Sequence, residues 1–189
     1  MKHLTILLFL IFAIGCTDRS INGYNSSVYS HPELNNAPSW VRAPNFEGGI
    51  AAIGSQKIGA SGIDFARKNA IASARDSLAS NIQIKVKNLI KNFTESTGIG
   101  SGEKVDRVSK HVSTQSTSQL LKGSRHADTW ISPSGELYAL VVVNLNKAKH
   151  TVKETAFSSF KNDSALWQQF KAKQGFQELE SEIDKEFGN

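Results

Sequence analysis

Few residues of this 189-residue chain could do chemistry, and the one in the most specific setting is Cys16, the single cysteine. One thiol forbids an intramolecular disulfide, and a cysteine-based zinc site would need further sulfurs. The other candidates are histidines and glycine-rich loops. His3, His31, His111, His126 and His150 stand alone, without the pairing that puts two imidazoles on one helix face. Residues 48–55 read GGIAAIGS, and Gly48, Gly49 and Gly54 do not form the dinucleotide fingerprint G-x-G-x-x-G. Residues 97–104 read TGIGSGEK, where a phosphate loop needs Lys then Ser or Thr directly after the last glycine. Glu103 intervenes instead and Val105 follows the lysine. No G-x-S-x-G elbow occurs. The expectation is a protein without catalytic residues, metal or cofactor.

Cys16 takes its meaning from what precedes it. Lys2 gives a short positive start, and residues 4–14 form an apolar run broken only by Thr5. A membrane-spanning helix needs about 20 residues, so this length suits the core of a signal peptide. The run ends in Ala13-Ile14-Gly15-Cys16, which resembles a bacterial lipobox. Cleavage between Gly15 and Cys16 would make the cysteine the first residue, and its thiol and new amino group would receive acyl chains. Each buried methylene contributes ~0.8 kcal/mol, so several chains hold the protein on a membrane. Thr17 follows the cysteine where an aspartate would signal inner-membrane retention, which points to the outer membrane. Residues 1–15 are thus expected to be a signal peptide and residues 16–37 a lipidated cysteine and polar tether. A flexible coil of about 20 residues spans ~25 Å.

The elements behind the tether must supply a folded body. Residues 38–145 are expected to form an α+β domain and residues 146–189 a helical extension. From Ile63 to Phe93 the apolar residues Ala66, Ala70, Ala74, Leu78, Ile82, Val86, Leu89 and Phe93 recur at helical spacing. The spacing predicts one helix, ~45 Å long at about 1.5 Å per residue, capped near Ser61 or Asp64. Its first half is alanine, which lets a sheet approach closely. Trp40 and Val41 read as a core anchor and residues 48–55 as a strand pressed on another backbone. Val105, Val108 and Val112 predict a second helix reaching about Leu120, with residues 113–118 solvated and residues 113–125 open between helix and strand.

Ser132-Pro133-Ser134-Gly135 fits a type I turn between apolar, β-branched flanks, and predicts a hairpin. Leu137, Ala139, Val141 and Val143 share one face of its second strand, while Tyr138, Leu140 and Val142 share the other. Both faces are apolar, so the strand should be central. One face can pack on the long helix. The other should meet the C-terminal helices or another subunit, and that surplus argues for a homo-oligomer. From Asn146 onward the chain reads as two helices broken near Asn162, with the stripe Leu166, Phe170, Phe176, Leu179, Ile183 and Phe187. The candidate oligomer or core face is therefore Tyr138, Leu140, Val142, Phe170, Leu179 and Ile183.

The formal net charge is +5, or +4 without Lys2, and the basic residues are dispersed. Lys85, Lys87 and Lys91 alternate with Ile84, Val86, Leu89 and Ile90, with no stacking aromatics among them, so nucleic acid is not an expected partner.

With these residues placed, the chain from Pro38 to Leu145 resembles the LPP20-type family of bacterial lipoproteins. The resemblance rests on P-S-W-V, the I-A-A-I-G-S strand, the A-x-x-x-A-x-x-x-A-R-x-x-L-A helix and the W-x-x-x-x-G-x-x-Y-x-L-V hairpin. Within the family the chain is most similar to its flagellar lipoprotein branch, through Ile82-Gln83-Ile84-Lys85-Val86, Lys91-Asn92-Phe93-Thr94 and Gly123-Ser124-Arg125. The resemblance implies a dodecin-like α+β fold: a small antiparallel sheet wrapped on one long helix, with additional C-terminal helices. It also implies an outer-membrane structural protein, needed for motility, whose copies form a ring or basal disk beside other flagellar envelope proteins. The alternatives are a surface-exposed or secreted binding or antigenic lipoprotein, and an envelope lipoprotein partnering a cell-wall enzyme.

Overall fold

A computed structural model describes residues 32–188. Its elements in order are α1 (Ser39–Arg42), β1 (Gly49–Lys57), α2 (Gly62–Thr97), α3 (Glu103–Lys122), β2 (Arg125–Ile131), β3 (Glu136–Asn144), α4 (Leu145–Lys161), α5 (Ser164–Ala172) and α6 (Gly175–Phe187). The fold is α+β: a three-stranded antiparallel sheet in the order β1-β3-β2, a long helix and a C-terminal set of helices.

The long helix forms where its stripe predicts and runs further, through 36 residues. At about 1.5 Å per residue it reaches ~54 Å, so its second half extends well past the sheet. Every member of the stripe from Ala66 to Phe93 is buried. Gly98 stops the helix at φ 64°, a left-handed geometry that glycine adopts without strain. Ser61 stands at the cap position, but its side chain makes no cap hydrogen bond. Asp64 serves the first turn differently, as a negative charge near the helix N-terminus that pairs with Arg67 at 2.9 Å.

The alanine half lies directly under β1. A Cβ added to Gly54 would overlap Ala74 N and Ala70 O and come within 2.8 Å of Ser73 C. This glycine is where the strand and the helix backbone meet. β3 is the central strand, and Leu137, Ala139, Val141 and Val143 are buried on its α2 side. The Ser132–Gly135 turn closes through Gly135 N–H to Ser132 O at 2.9 Å, with Gly135 at φ 84°.

α3 is helical through Lys122, which settles residues 113–122 as helix and starts β2 at Arg125. The expectation of a solvated serine segment is corrected. Ser109, Ser113, Ser116 and Thr117 are buried on α3, and Thr151, Thr155 and Ser159 are buried on α4, which packs against it. Small hydroxyl side chains let two helices approach closely, and three of these hydroxyls, those of Ser113, Thr155 and Ser159, bond their own helix. Thr155 Oγ1 donates to Thr151 O at 2.7 Å and Ser159 Oγ to Thr155 O at 2.8 Å. Ser116 Oγ and Thr117 Oγ1 have no partner.

The C-terminal part is three helices rather than two. Asp163 caps α5 by accepting from Ala165 N and Leu166 N, each at 3.0 Å. Those bonds, with Lys104 nearby, hold its carboxyl below the usual value against its partial desolvation. The second break falls at Gln174, at φ 52°. Gly175 opens α6 because a Cβ there would lie 2.7 Å from the Phe170 ring. Leu166, Phe170, Leu179, Ile183 and Phe187 join the same core as α2, around Phe93 and Phe160. Phe176 departs from the expected stripe and is 45% exposed.

Candidate functional site

Gly15 and Cys16, the expected cleavage and lipidation positions, lie outside the described residues, as do the signal peptide and residues 16–31. What the structure does describe is how the chain that follows them is fastened to the domain. The described part begins at a short 3-10 turn, Pro32–Leu34, beside the β2–β3 turn. Ser132 and Ser134 donate their hydroxyls to Glu33 Oε1, and Lys57, at the end of β1, donates to the Ser134 carbonyl and, at 3.2 Å, to its hydroxyl. These hydroxyl bonds are the main reason the Glu33 carboxyl sits below its ordinary value; Lys57 adds to them, and partial desolvation opposes them.

From there the chain crosses the outer face of the sheet. Ala37, Trp40 and Val41 are buried against Leu140 and Val142, with Leu34, Phe46 and Tyr138 around them. Trp40 Nε1 donates to Asp128 Oδ2 at 3.0 Å, tying this segment to β2. Trp130 and Tyr138 pack with ring centroids 5.5 Å apart, and Arg125 lies over the Phe46 ring at 5.1 Å. Burial, then Glu136 and Glu33, raises the Tyr138 hydroxyl pKa.

Two expectations are corrected by this clasp. Within residues 32–37, assigned to the tether, Glu33 bonds the β2–β3 turn and Leu34 and Ala37 pack on the sheet. The face formed by Tyr138, Leu140 and Val142 is not covered by the C-terminal helices; the N-terminal segment of the same chain packs on it. Phe170, Leu179 and Ile183 are likewise buried inside the chain. The six residues divide between two clusters of the chain, Tyr138, Leu140 and Val142 on the outer face of the sheet and Phe170, Leu179 and Ile183 in the core shared with α2. Alternating apolarity showed that β3 needed two covers. It could not show that the short helical turn α1 around Trp40 would be one of them, because four residues are too few to carry a period.

The acidic face of α6 is not simply solvated. Lys149 pairs with Asp184 at 3.0 Å, Lys153 with Glu180 at 2.7 Å, and Lys85 of α2 with Glu186 at 3.2 Å. Alongside that last pair, between the edge of β1 and α2, lies an open groove of about 410 Å³ lined by Ile50, Ala51, Asn81, Ile84, Lys85 and Phe187 among others. Sequence reading missed this groove; the signal it left is Ile84, an apolar residue 57% exposed off the buried stripe. A second apolar patch gathers Phe157, Trp167 and Phe176, with centroids 5.2 to 6.0 Å apart.

Of the histidines, His126 Nε2 lies 2.7 Å from Thr129 Oγ1, and His111 lines a cleft of about 370 Å³ with Lys104, Arg107 and Asp163. Among the described residues no group of three or more His, Cys, Asp or Glu is placed to hold a metal ion, and no helix is long and apolar enough to cross a membrane.

Comparison with known proteins gives one positive result. No curated protein matches the chain. Residues 38–144, more than half of the chain and the span from α1 through the hairpin, match the LPP20 lipoprotein description, and the chain belongs to the LPP20 lipoprotein family.

Proposed function

We propose that this protein is an outer-membrane lipoprotein with a structural, non-catalytic role in flagellar motility, its copies assembling into a ring or basal disk around the motor. The observation that carries the reading is membership of a lipoprotein family over residues 38–144 together with Cys16 at the end of an apolar leader. The flagellar placement draws its support from the likeness of residues 82–86, 91–94 and 123–125 to the flagellar branch of that family. The clasp suits an anchored protein. Tension from an acylated Cys16 would enter at Pro32 and spread through Glu33, Ser132 and Trp40 into the sheet, instead of peeling one strand.

Cryo-tomography of motors in a strain lacking the gene, beside one carrying Cys16→Ala, tests the proposal. A missing disk in the deletion and a missing or mislocalised disk with Cys16→Ala are the expected results. Intact motors and normal swimming in both strains would refute the flagellar role.

A further inference from the structure

The chain that follows Cys16 enters the domain at one end of the sheet. Pro32–Leu34 lies beside the β2–β3 turn, where Glu33 accepts from the hydroxyls of Ser132 and Ser134. The same end holds the tip of β1, since Lys57 pairs with Glu136 and Ile58 N donates to Gly135 O at 2.9 Å. It also holds the start of α2, because Ala66, one turn into the helix, packs with Leu137 and Ile58.

Exposed apolar side chains gather at this end. Among the described residues five large ones are exposed, and three of them, Ile63, Phe65 and Ile131, are here, each 41% exposed or more. Ile63 stands one turn before Ala66 on the stripe that faces the sheet, where the strands run out. Ile131 closes the edge strand β2 opposite Leu137, and so points to the α2 side as Leu137 does. Single exposed apolar residues need no partner, but a gathered set marks an interaction surface. The other two are remote. Ile84 is about six turns further along α2, ~32 Å from Ile63. Phe176 packs on Phe170, which meets Phe93, ~45 Å along the same helix.

A lipoprotein has one surface always within reach, the bilayer that holds its acyl chains. The sixteen residues from Cys16 to His31 measure ~55 Å fully extended, about the length of α2. The end at Pro32 can meet the bilayer with no stretch of this chain, whereas Phe176 could meet it only with the chain drawn nearly straight. Tethering makes the second contact intramolecular, so a small apolar patch is enough. Charge neither draws nor repels lipid here: Lys57, Arg67 and Lys68 offset Glu33, Asp64 and Glu136, with Arg67 and Asp64 paired at 2.9 Å. Lys68 is exposed one turn after Phe65, where its stem can follow the ring and leave the ammonium among headgroups.

We infer that this end of the domain is a membrane-contact face, on which Ile63, Phe65 and Ile131 enter the headgroup–acyl boundary of the bilayer that holds Cys16. The contact rests on Cys16 carrying the acyl anchor, and it adds an orientation to the proposed role. The β2–β3 turn and the start of α2 sit on lipid, and the α2–α3 loop is held away from it.

The test uses the full lipidated chain, purified from membranes in detergent and reconstituted in phosphatidylcholine vesicles. The polarity-sensitive dye NBD is attached at Ser61→Cys or, beyond the far end of α2, at Ser101→Cys. Ser61 is exposed and makes no side-chain cap bond, so the label leaves the fold and the three apolar residues in place. The chain should float with the vesicles, and nitroxide-labelled lipid should quench the Ser61 dye about threefold more than the Ser101 dye. Ile63→Glu combined with Phe65→Glu should remove that difference with flotation and melting temperature unchanged, since acids suit the first turn of a helix. Equal quenching at the two positions, or a difference that the double variant leaves intact, would overturn the contact. So would a shielded Ser61 dye that nitroxide lipid does not quench, because residues 17–31 or another copy would then cover the patch. A chain that does not float lacks the anchor, which refutes the lipoprotein reading and the contact together. A chain that floats with its Ser61 dye in water refutes the contact alone.

Discussion

The two faces of β3 are covered in opposite ways. On one, Leu137, Ala139, Val141 and Val143 meet a single regular helix, and the seam is closed by residues without bulk: Gly54 in the strand, Ala66, Ala70 and Ala74 in the helix. On the other, Tyr138, Leu140 and Val142 meet the single turn α1 and the chain before it, whose largest ring, Trp40, is held by a hydrogen bond to Asp128. Each face excludes water from the same strand. One does it by close backbone approach and tolerates no added atom; the other does it by a large side chain and tolerates no removal.

The strongest way to break the contrast is Gly54→Val. The atoms in the way are helix backbone, which cannot swing aside, so the loss should be about 4 kcal/mol, above the usual range for overpacking. Urea unfolding measures it, and a loss under half that size would mean that α2 can lift off β1. On the outer face Trp40→Ala should cost about 3 kcal/mol, while Trp40→Phe, which keeps a ring and deletes the bond to Asp128, should cost about 1 kcal/mol. Equal costs for the two would show that the hydrogen bond, not the ring, holds the segment.

The α3–α4 seam sharpens the comparison from a third side, since it uses small residues but keeps their hydroxyls. Ser116 Oγ is buried without a partner, so Ser116→Ala should raise stability by about 1 kcal/mol in the same assay. A loss of that size would mean that Ser116 is hydrogen-bonded after all. The smallest effect is at Glu33. Its carboxyl is held below the ordinary 4.5, so its part of the clasp is fully present above that pH and is lost as pH falls through the depressed value. The Trp40 indole N–H signal, followed by NMR on acidification, should shift in that window in the native chain. With Glu33→Gln the shift should be absent.

Regular elements were legible in the sequence because their periods are local. The alanine stripe located α2, the Ser-Pro-Ser-Gly turn located the hairpin, and alternation on β3 made it the central strand. The serine run of α3 misled for a related reason. Polarity reads as exposure, yet Ser113 and Ser116 are buried because their small size matters more at a close helix crossing than their hydroxyls. Trp40 and Val41 were legible as a core anchor, but the partners of the clasp and the groove were not. Glu33 and Ser132 are 99 residues apart and Trp40 and Asp128 are 88 apart, and no spacing rule connects such pairs.

By itself, then, the sequence determined the long helix, the central strand with two apolar faces and the family signature carried by residues 38–144. Each follows from side-chain periodicity or a contiguous motif, properties that neighbouring residues carry without help. Only the tertiary structure decided which element covers which face and that the C-terminal helices share the core of α2. Those outcomes depend on volumes and backbone directions meeting across distant parts of the chain, and neither quantity is written in any one stretch of it.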